Sequence, residues 1–217
     1  MTRPLLSGPE LLPDTGHPTR AVVLLHGYGA DGQDLIGLAP HLAARLPGTA
    51  FFAPDGPQRT AMGMGRQWFS DAGGSFNDRP GMDEAVGLLE HYLTTAVWEK
   101  YGITPAQTVL VGFSMGTMTA LHVAPRLPVQ IAGVVGLSGM LMFGEELATL
   151  TPKQVMPIQL VHGQADDVLP FHASEQAKVL LEAAGYPVEL HILPGLPHGI
   201  DERALALTAK FLTAQLP

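Results

Sequence analysis

The stretch Thr108-Val109-Leu110-Val111-Gly112-Phe113-Ser114-Met115-Gly116 decides the fold of this chain. Its first four residues form a short apolar run rich in β-formers, the pattern of a strand buried on both faces. Gly-x-Ser-x-Gly follows at once. Behind it Met118, Leu121, His122 and Pro125 recur at helical spacing. Strand, sharp turn and helix in that order make a nucleophile elbow, where the backbone bends so tightly that glycine is needed two residues either side of the serine. Taken alone, the five residues also fit a serine in an ordinary glycine-rich turn.

The surrounding pattern is that of an α/β chain. Apolar runs predict strands at Ala21–Leu25, Ala50–Ala53, Thr108–Val111, Ile131–Leu137, Pro157–Val161 and Val188–Leu193. Helical patterns alternate with most of them, at Gln33–Arg45, Met82–Tyr101, Met115–Arg126, His172–Ala184 and Asp201–Gln215. Gly102 and Gly185 stand where C-caps belong. Such alternation implies a mostly parallel sheet with helices on both faces, and one α/β domain over residues 1–217. The longest irregular stretch is Pro54–Gly81. Its Trp68 and Phe69 predict an ordered loop packed near the site, although a hydrophobic flap without substrate contact also fits.

Composition narrows the chemistry. The chain has 217 residues, 46% of them hydrophobic, enough for a core under both sheet faces. Its net charge is −8 with no basic cluster, which argues against nucleic acid and anionic membranes as partners. There is no cysteine, so disulfides, thiolate metal sites and a cysteine nucleophile are excluded. The first residues, Met1 to Pro9, show no sustained apolar segment, and no run is long enough to span a bilayer. The expectation is a cytoplasmic protein without stable membrane insertion. A homodimer is compatible with this reading.

A serine nucleophile needs a base, because an alcohol is protonated at neutral pH, and the base needs an acid to orient it. Past Ser114, His162-Gly163-Gln164-Ala165-Asp166-Asp167 follows one predicted strand, and Pro194-Gly195-Leu196-Pro197-His198-Gly199 follows the next. Both lie at carboxyl ends of strands, where open α/β sheets build their sites. His198 is the candidate base. It alone sits in a Gly/Pro-punctuated loop, whereas His91, His122 and His172 fall on helical patterns as surface or satisfied packing residues, and His191 lies in a strand. Asp166 is the candidate acid, with Asp167 left open by spacing alone. The oxyanion needs preorganised N–H donors. The amides of Met115, at the helix start, and Tyr28, in the loop His26–Gly32, are the candidates. That loop lacks a phosphate-binding pattern, and His26 reads as its brace.

Together Leu25-His26-Gly27-Tyr28-Gly29, Ala53-Pro54, Gln67-Trp68-Phe69, Val111–Gly116, Leu137-Ser138-Gly139, His162-Gly163 with Asp166, and Gly195 with His198 resemble the carboxylesterase/phospholipase family of small α/β-hydrolases. The resemblance spans nearly the whole chain. It implies an α/β-hydrolase fold and a serine hydrolase of carboxylic esters or thioesters, with no metal or cofactor. The family's His-Gly-x-x-Asp pattern favours Asp166 over Asp167. Two departures stand out. Met115 replaces the Gln often found after the nucleophile, and Ser70 precedes Asp71 where the family usually has an acidic residue directly after the aromatic pair.

The short connection 138–156 leaves no room for a large lid. Met140, Leu141, Met142 and Phe143, with Met62, Met64 and Trp68, could line an open acyl groove, or merely pack under a loop. The expected substrate is a small ester with a short to medium acyl chain, Trp68, Met140 and Leu141 contacting it. An acyl-protein thioesterase or lysophospholipase is the alternative, and a non-catalytic binding module a distant third.

Overall fold

The computed structural model describes residues 3–14, 16–61, 63–71, 74, 76–151 and 154–216. Seven strands form one sheet in the order β1-β3-β2-β6-β7-β8-β9. They are β1 (Glu10–Leu11), β2 (Arg20–Leu25), β3 (Thr49–Phe52), β6 (Thr108–Phe113), β7 (Gly133–Leu137), β8 (Ile158–Gly163) and β9 (Val188–Leu193), while β4 (Gln58–Arg59) and β5 (Arg66–Gln67) pair as a separate hairpin. Every pairing in the large sheet is parallel except β1 against β3. All six expected strands are present. β1 and the hairpin are additions, each too short to leave an alternating pattern in sequence.

Helices cover both faces. On one side α3 (Arg79–Tyr92), α4 (Met115–Val123) and α5 (His172–Ala183) bury Met82, Leu88, Leu89, Met118, Leu121 and Leu181 against Val23, Leu25, Leu110 and Leu160. On the other, α1 (Gly32–Leu35), α2 (Ala39–Ala43) and α6 (Glu202–Gln215) bury Leu35, Leu42, Phe211 and Leu212 against Val22, Leu24, Val109 and Val111. Successive strand residues thus feed opposite layers, and both layers exclude water. This explains why the strands read as unbroken apolar runs.

Two expected helices are remodelled. The pattern Gln33–Arg45 breaks into α1, a 3₁₀ turn at Ile36–Leu38, and α2. Pro40 has no N–H to continue the ladder, and Gly37 lowers the cost of the change. Met82–Tyr101 begins earlier, at Arg79, because Asp78 caps it by accepting from Gly81 N at 3.0 Å. Beyond Tyr92 it widens into a π-helical segment, Leu93–Glu99, whose Trp98 donates from Nε1 to Thr108 Oγ1 at 2.9 Å. Among the described residues no helix is long and apolar enough to cross a membrane.

The loops that matter gather where strand order reverses. β2 lies between β3 and β6, so the turns after β2 and β6 open side by side at the carboxyl edge.

Candidate active site

Ser114 sits between β6 and α4 with φ 55° and ψ −118°, a conformation rarely adopted by a residue with a side chain. The turn closes because its glycines lack Cβ atoms. A Cβ on Gly112 would lie 2.3 Å from the Gly116 carbonyl oxygen, and one on Gly116 would lie 1.9 Å from that of Leu25. Thr117 stitches the turn down. Its hydroxyl lies 2.8 Å from the carbonyl oxygens of Gly112 and Leu137 and accepts from Leu137 N at 2.9 Å. Backbone blocks backbone at Gly116, so relaxation by rotamer change is unavailable. Gly116→Ala should therefore destabilise the fold by about 3 kcal/mol or more, read as a lowered urea midpoint.

The turn points the serine outward as the first residue before α4. Ser114 Oγ caps nothing, and it makes no hydrogen bond with a described residue, His198 included. Catalytic contacts of this kind are commonly completed when substrate arrives. His198 nevertheless stands next to the elbow, its ring 5.0 Å from that of Phe113, the residue before the serine.

Asp166 and His198 are joined. His198 Nδ1 donates to Asp166 Oδ2 at 2.7 Å, between loops following β8 and β9. The Asp166 carboxylate is fully buried, and its other oxygen accepts from Val168 N at 3.0 Å and Leu169 N at 2.8 Å. Burial by itself would raise its pKa. The Leu169 amide, the His198 ring and the Val168 amide outweigh that and hold the carboxyl below the usual range, so it is charged. Asp167, the other candidate, is exposed.

The loop after β2 comes close to the serine, since a Cβ on Gly27 would meet Ser114 Cβ at 3.3 Å. The N–H of Tyr28 and that of Met115 have no acceptor among the described residues. Around Tyr28 the backbone is fixed on every side. Gly29 N donates to Arg66 O at 3.0 Å, and Arg66 N returns a bond to Ala30 O at 2.8 Å. His26 acts as the brace expected of it: Nε2 accepts from Gly56 N at 2.8 Å, so the ring hydrogen is on Nδ1, which donates to Gly27 O at 2.8 Å. Burial lowers the pKa of this ring, against the Gly27 carbonyl and Asp55, and keeps it neutral.

The substrate-contact expectations need correction. Trp68 is only 1% exposed, which leaves its side chain almost no surface to offer a substrate. Its Nε1 donates to His26 O at 2.9 Å, so it supports the loop after β2. Met115 is likewise buried, presenting its amide rather than its side chain. Met140 and Leu141 are half-buried and, with Phe143, line a cleft of about 180 Å³ against Ala173, Ala177 and Leu180 of α5. Met64 projects into solvent, and Met62 lies outside the described residues. Cavities of about 440 Å³ beside α2 and about 340 Å³ between β8, β9 and α6 are larger but hold none of the candidate residues.

Sequence reasoning misread one histidine and overlooked other residues. His122 is a buried packing residue rather than a surface one, with no well-formed hydrogen bond at either ring nitrogen and Nε2 3.5 Å from Asp83 Oδ1. Burial, reinforced by Arg126, pushes its pKa down to about 4. Asp78 supplies the acidic support behind the aromatic pair, accepting from Ser70 N at 2.8 Å. Thr117 and Ser174 had no sequence signal beyond their positions near glycines and a helix start.

A family model described as Phospholipase/Carboxylesterase matches residues 8–216. The chain is 26% identical to acyl-protein thioesterase 1 of Gibberella zeae over 225 residues, covering 96% of both proteins. It is 26% identical to esterase YpfH of Escherichia coli over 197 residues, covering 90% of this chain and 83% of that protein. Among solved structures, esterase PE8 superposes with a TM-score of 0.89 at 36% identity, over 98% of this chain and all of that one. Acyl-protein thioesterase 2 of Zea mays gives 0.80 at 27% identity, over 97% and 100%.

Proposed function

The chain belongs to the phospholipase/carboxylesterase family and is an ester-hydrolysing enzyme of the α/β-hydrolase fold, and from that premise we propose that Ser114, His198 and Asp166 are its nucleophile, base and orienting acid. One observation carries the reading: the buried, charged Asp166 accepts the Nδ1 hydrogen of His198 at 2.7 Å. That bond leaves Nε2 as the free acceptor.

Ser114 Oγ attacks the ester carbonyl carbon while His198 Nε2 takes its proton. The carbonyl oxygen becomes an oxyanion and lies against the amides of Tyr28 and Met115, the latter at the positive end of α4. His198 then returns the proton to the departing alkoxide, and the alcohol leaves an acyl-serine. Water repeats the sequence and frees the acid, restoring Ser114.

The preferred substrate is a small carboxylic ester with a short to medium acyl chain. Met140 and Leu141 offer an adaptable apolar wall, and among its described residues the connection 138–156 adds a 3₁₀ turn at Gly144–Thr149 rather than a covering lid. Acyl-protein thioesterase or lysophospholipase activity is the competing reading, since two of the relatives bear the thioesterase name.

Two measurements test this. A fluorophosphonate probe should label Ser114 stoichiometrically, read by peptide mass spectrometry; labelling elsewhere or none would remove the triad. p-Nitrophenyl esters from acetate to palmitate, run beside matched thioesters, should give the highest kcat/KM at short to medium oxygen esters. Cleavage confined to long chains or to thioesters selects the competing reading.

A further inference from the structure

A second buried histidine stands behind Asp166. His162, in β8, is shut off from solvent and cannot reach substrate. Its Nε2 lies 3.0 Å from the carbonyl oxygen of Leu169 and 3.1 Å from Asp166 Oδ2. Both atoms only accept, so Nε2 carries a hydrogen. Its Nδ1 lies 2.7 Å from Ser174 Oγ, which in turn is 3.1 Å from the carbonyl oxygen of Gly139. Burial lowers the pKa of this ring, against the Leu169 carbonyl and Asp166, and the nearby His198 lowers it further. A neutral ring with its hydrogen on Nε2 must accept at Nδ1, so the single Ser174 hydroxyl hydrogen turns to the ring and the Gly139 carbonyl is left as a close neighbour of Oγ.

The circuit closes through Leu169. Its carbonyl receives His162, and its N–H donates to Asp166 Oδ1 at 2.8 Å. His162 therefore bears on both carboxylate oxygens, on Oδ2 by direct approach and on Oδ1 through the Leu169 peptide. At the far end, Gly139 precedes Met140, and a Cβ on it would lie 2.9 Å from the Ser114 carbonyl oxygen. One chain of contacts thus runs from the apolar wall through Ser174 and His162 to the acid.

We propose that His162 is a positioning residue of the hydrolytic site: neutral and protonated on Nε2, it holds Asp166 in the orientation that serves His198, while the Ser174 hydroxyl, donating to Nδ1, selects its tautomer. The proposal rests on the triad reading above. Asp166 and His198 are the titratable groups facing His162, and two histidines then share Oδ2. The N–H of His162 withdraws part of the charge that Oδ2 offers His198.

The test is steady-state ester hydrolysis against pH by full-length His162→Leu, His162→Gln and Ser174→Ala. His162→Leu should lower kcat roughly tenfold to a hundredfold, the scale of one lost hydrogen bond to a charged group, with KM nearly unchanged. His162→Gln, with an amide N–H near the lost donor, should recover most of kcat. Ser174→Ala should show a smaller change of the same sign. Long-range ¹H–¹⁵N spectra of the wild type should show His162 as the neutral Nε2–H tautomer throughout the activity rise, a readout that survives if His162→Leu fails to fold.

Unchanged kcat in these variants, loss of activity merely in proportion to folded protein, or an Nδ1–H tautomer would each overturn the proposal. Should Ser114→Ala and Asp166→Asn be inactive while His162→Leu behaves as wild type, only the positioning role fails. Retained activity in Ser114→Ala fails the triad itself.

Discussion

Ser114→Ala is expected to cut kcat by about 10⁴- to 10⁶-fold, the range in which removal of a serine nucleophile leaves only binding and oxyanion stabilisation. The loss should not come from unfolding. Ser114 Oγ makes no hydrogen bond with a described residue, and alanine tolerates the elbow's φ of 55° no worse than serine does. Thermal denaturation should therefore place the variant's Tm at or slightly above the wild-type value, as befits a strained functional position that contributes nothing to stability. A variant hydrolysing p-nitrophenyl esters at wild-type rate, with the fluorophosphonate adduct moved to another serine, would refute the assignment.

Asp166→Asn should lower kcat by about 10⁴-fold with KM little affected. An amide oxygen can still accept from the amides of Val168 and Leu169, so the loop keeps its shape. The amide NH₂ would then meet Nδ1 of His198 where a carboxylate oxygen stood. It donates where the native group accepted, so the ring shifts its hydrogen to Nε2 and can no longer take the serine proton. Asp167→Asn, one residue along and exposed, should leave kcat within about twofold of wild type. Equal losses in the two variants would mean that loop disturbance, not the Asp166–His198 bond, explains the effect.

The parts legible in sequence were those encoded within a few residues. The elbow announced itself through glycine spacing, and the structure supplies the steric reason at Gly112 and Gly116. Five of the six core strands could be read because each is largely apolar on both faces, and the edge strand β9 because Val188, Leu190 and Ile192 alternate with Glu189 and His191. The site was half legible: chain order put Asp166 and His198 at strand ends, and His26 read as a brace. Trp68 was misassigned because an aromatic in a long loop looks the same whether it faces a groove or supports a backbone. Its actual partner, the carbonyl oxygen of His26, is 42 positions away. His122 was misjudged for a similar reason. Helical spacing gives its face but not that α3 and the segment carrying Phe143 close over it.

The amino-acid sequence by itself determined the α/β architecture, the tight turn that carries Ser114, and the order of its chemical partners. These follow from short-range causes: side-chain alternation, helical spacing, and the backbone freedom of glycine. Spacing left Asp166 and Asp167 open and only the resemblance favoured Asp166; tertiary structure decided that it is Asp166 that lies buried against His198, that Trp68 lies under the loop after β2, and that His162 and Ser174 stand behind Asp166. Those outcomes depend on burial and hydrogen-bond partners drawn from strands and loops far apart in the chain. Desolvation and tautomer choice exist only once those segments have packed.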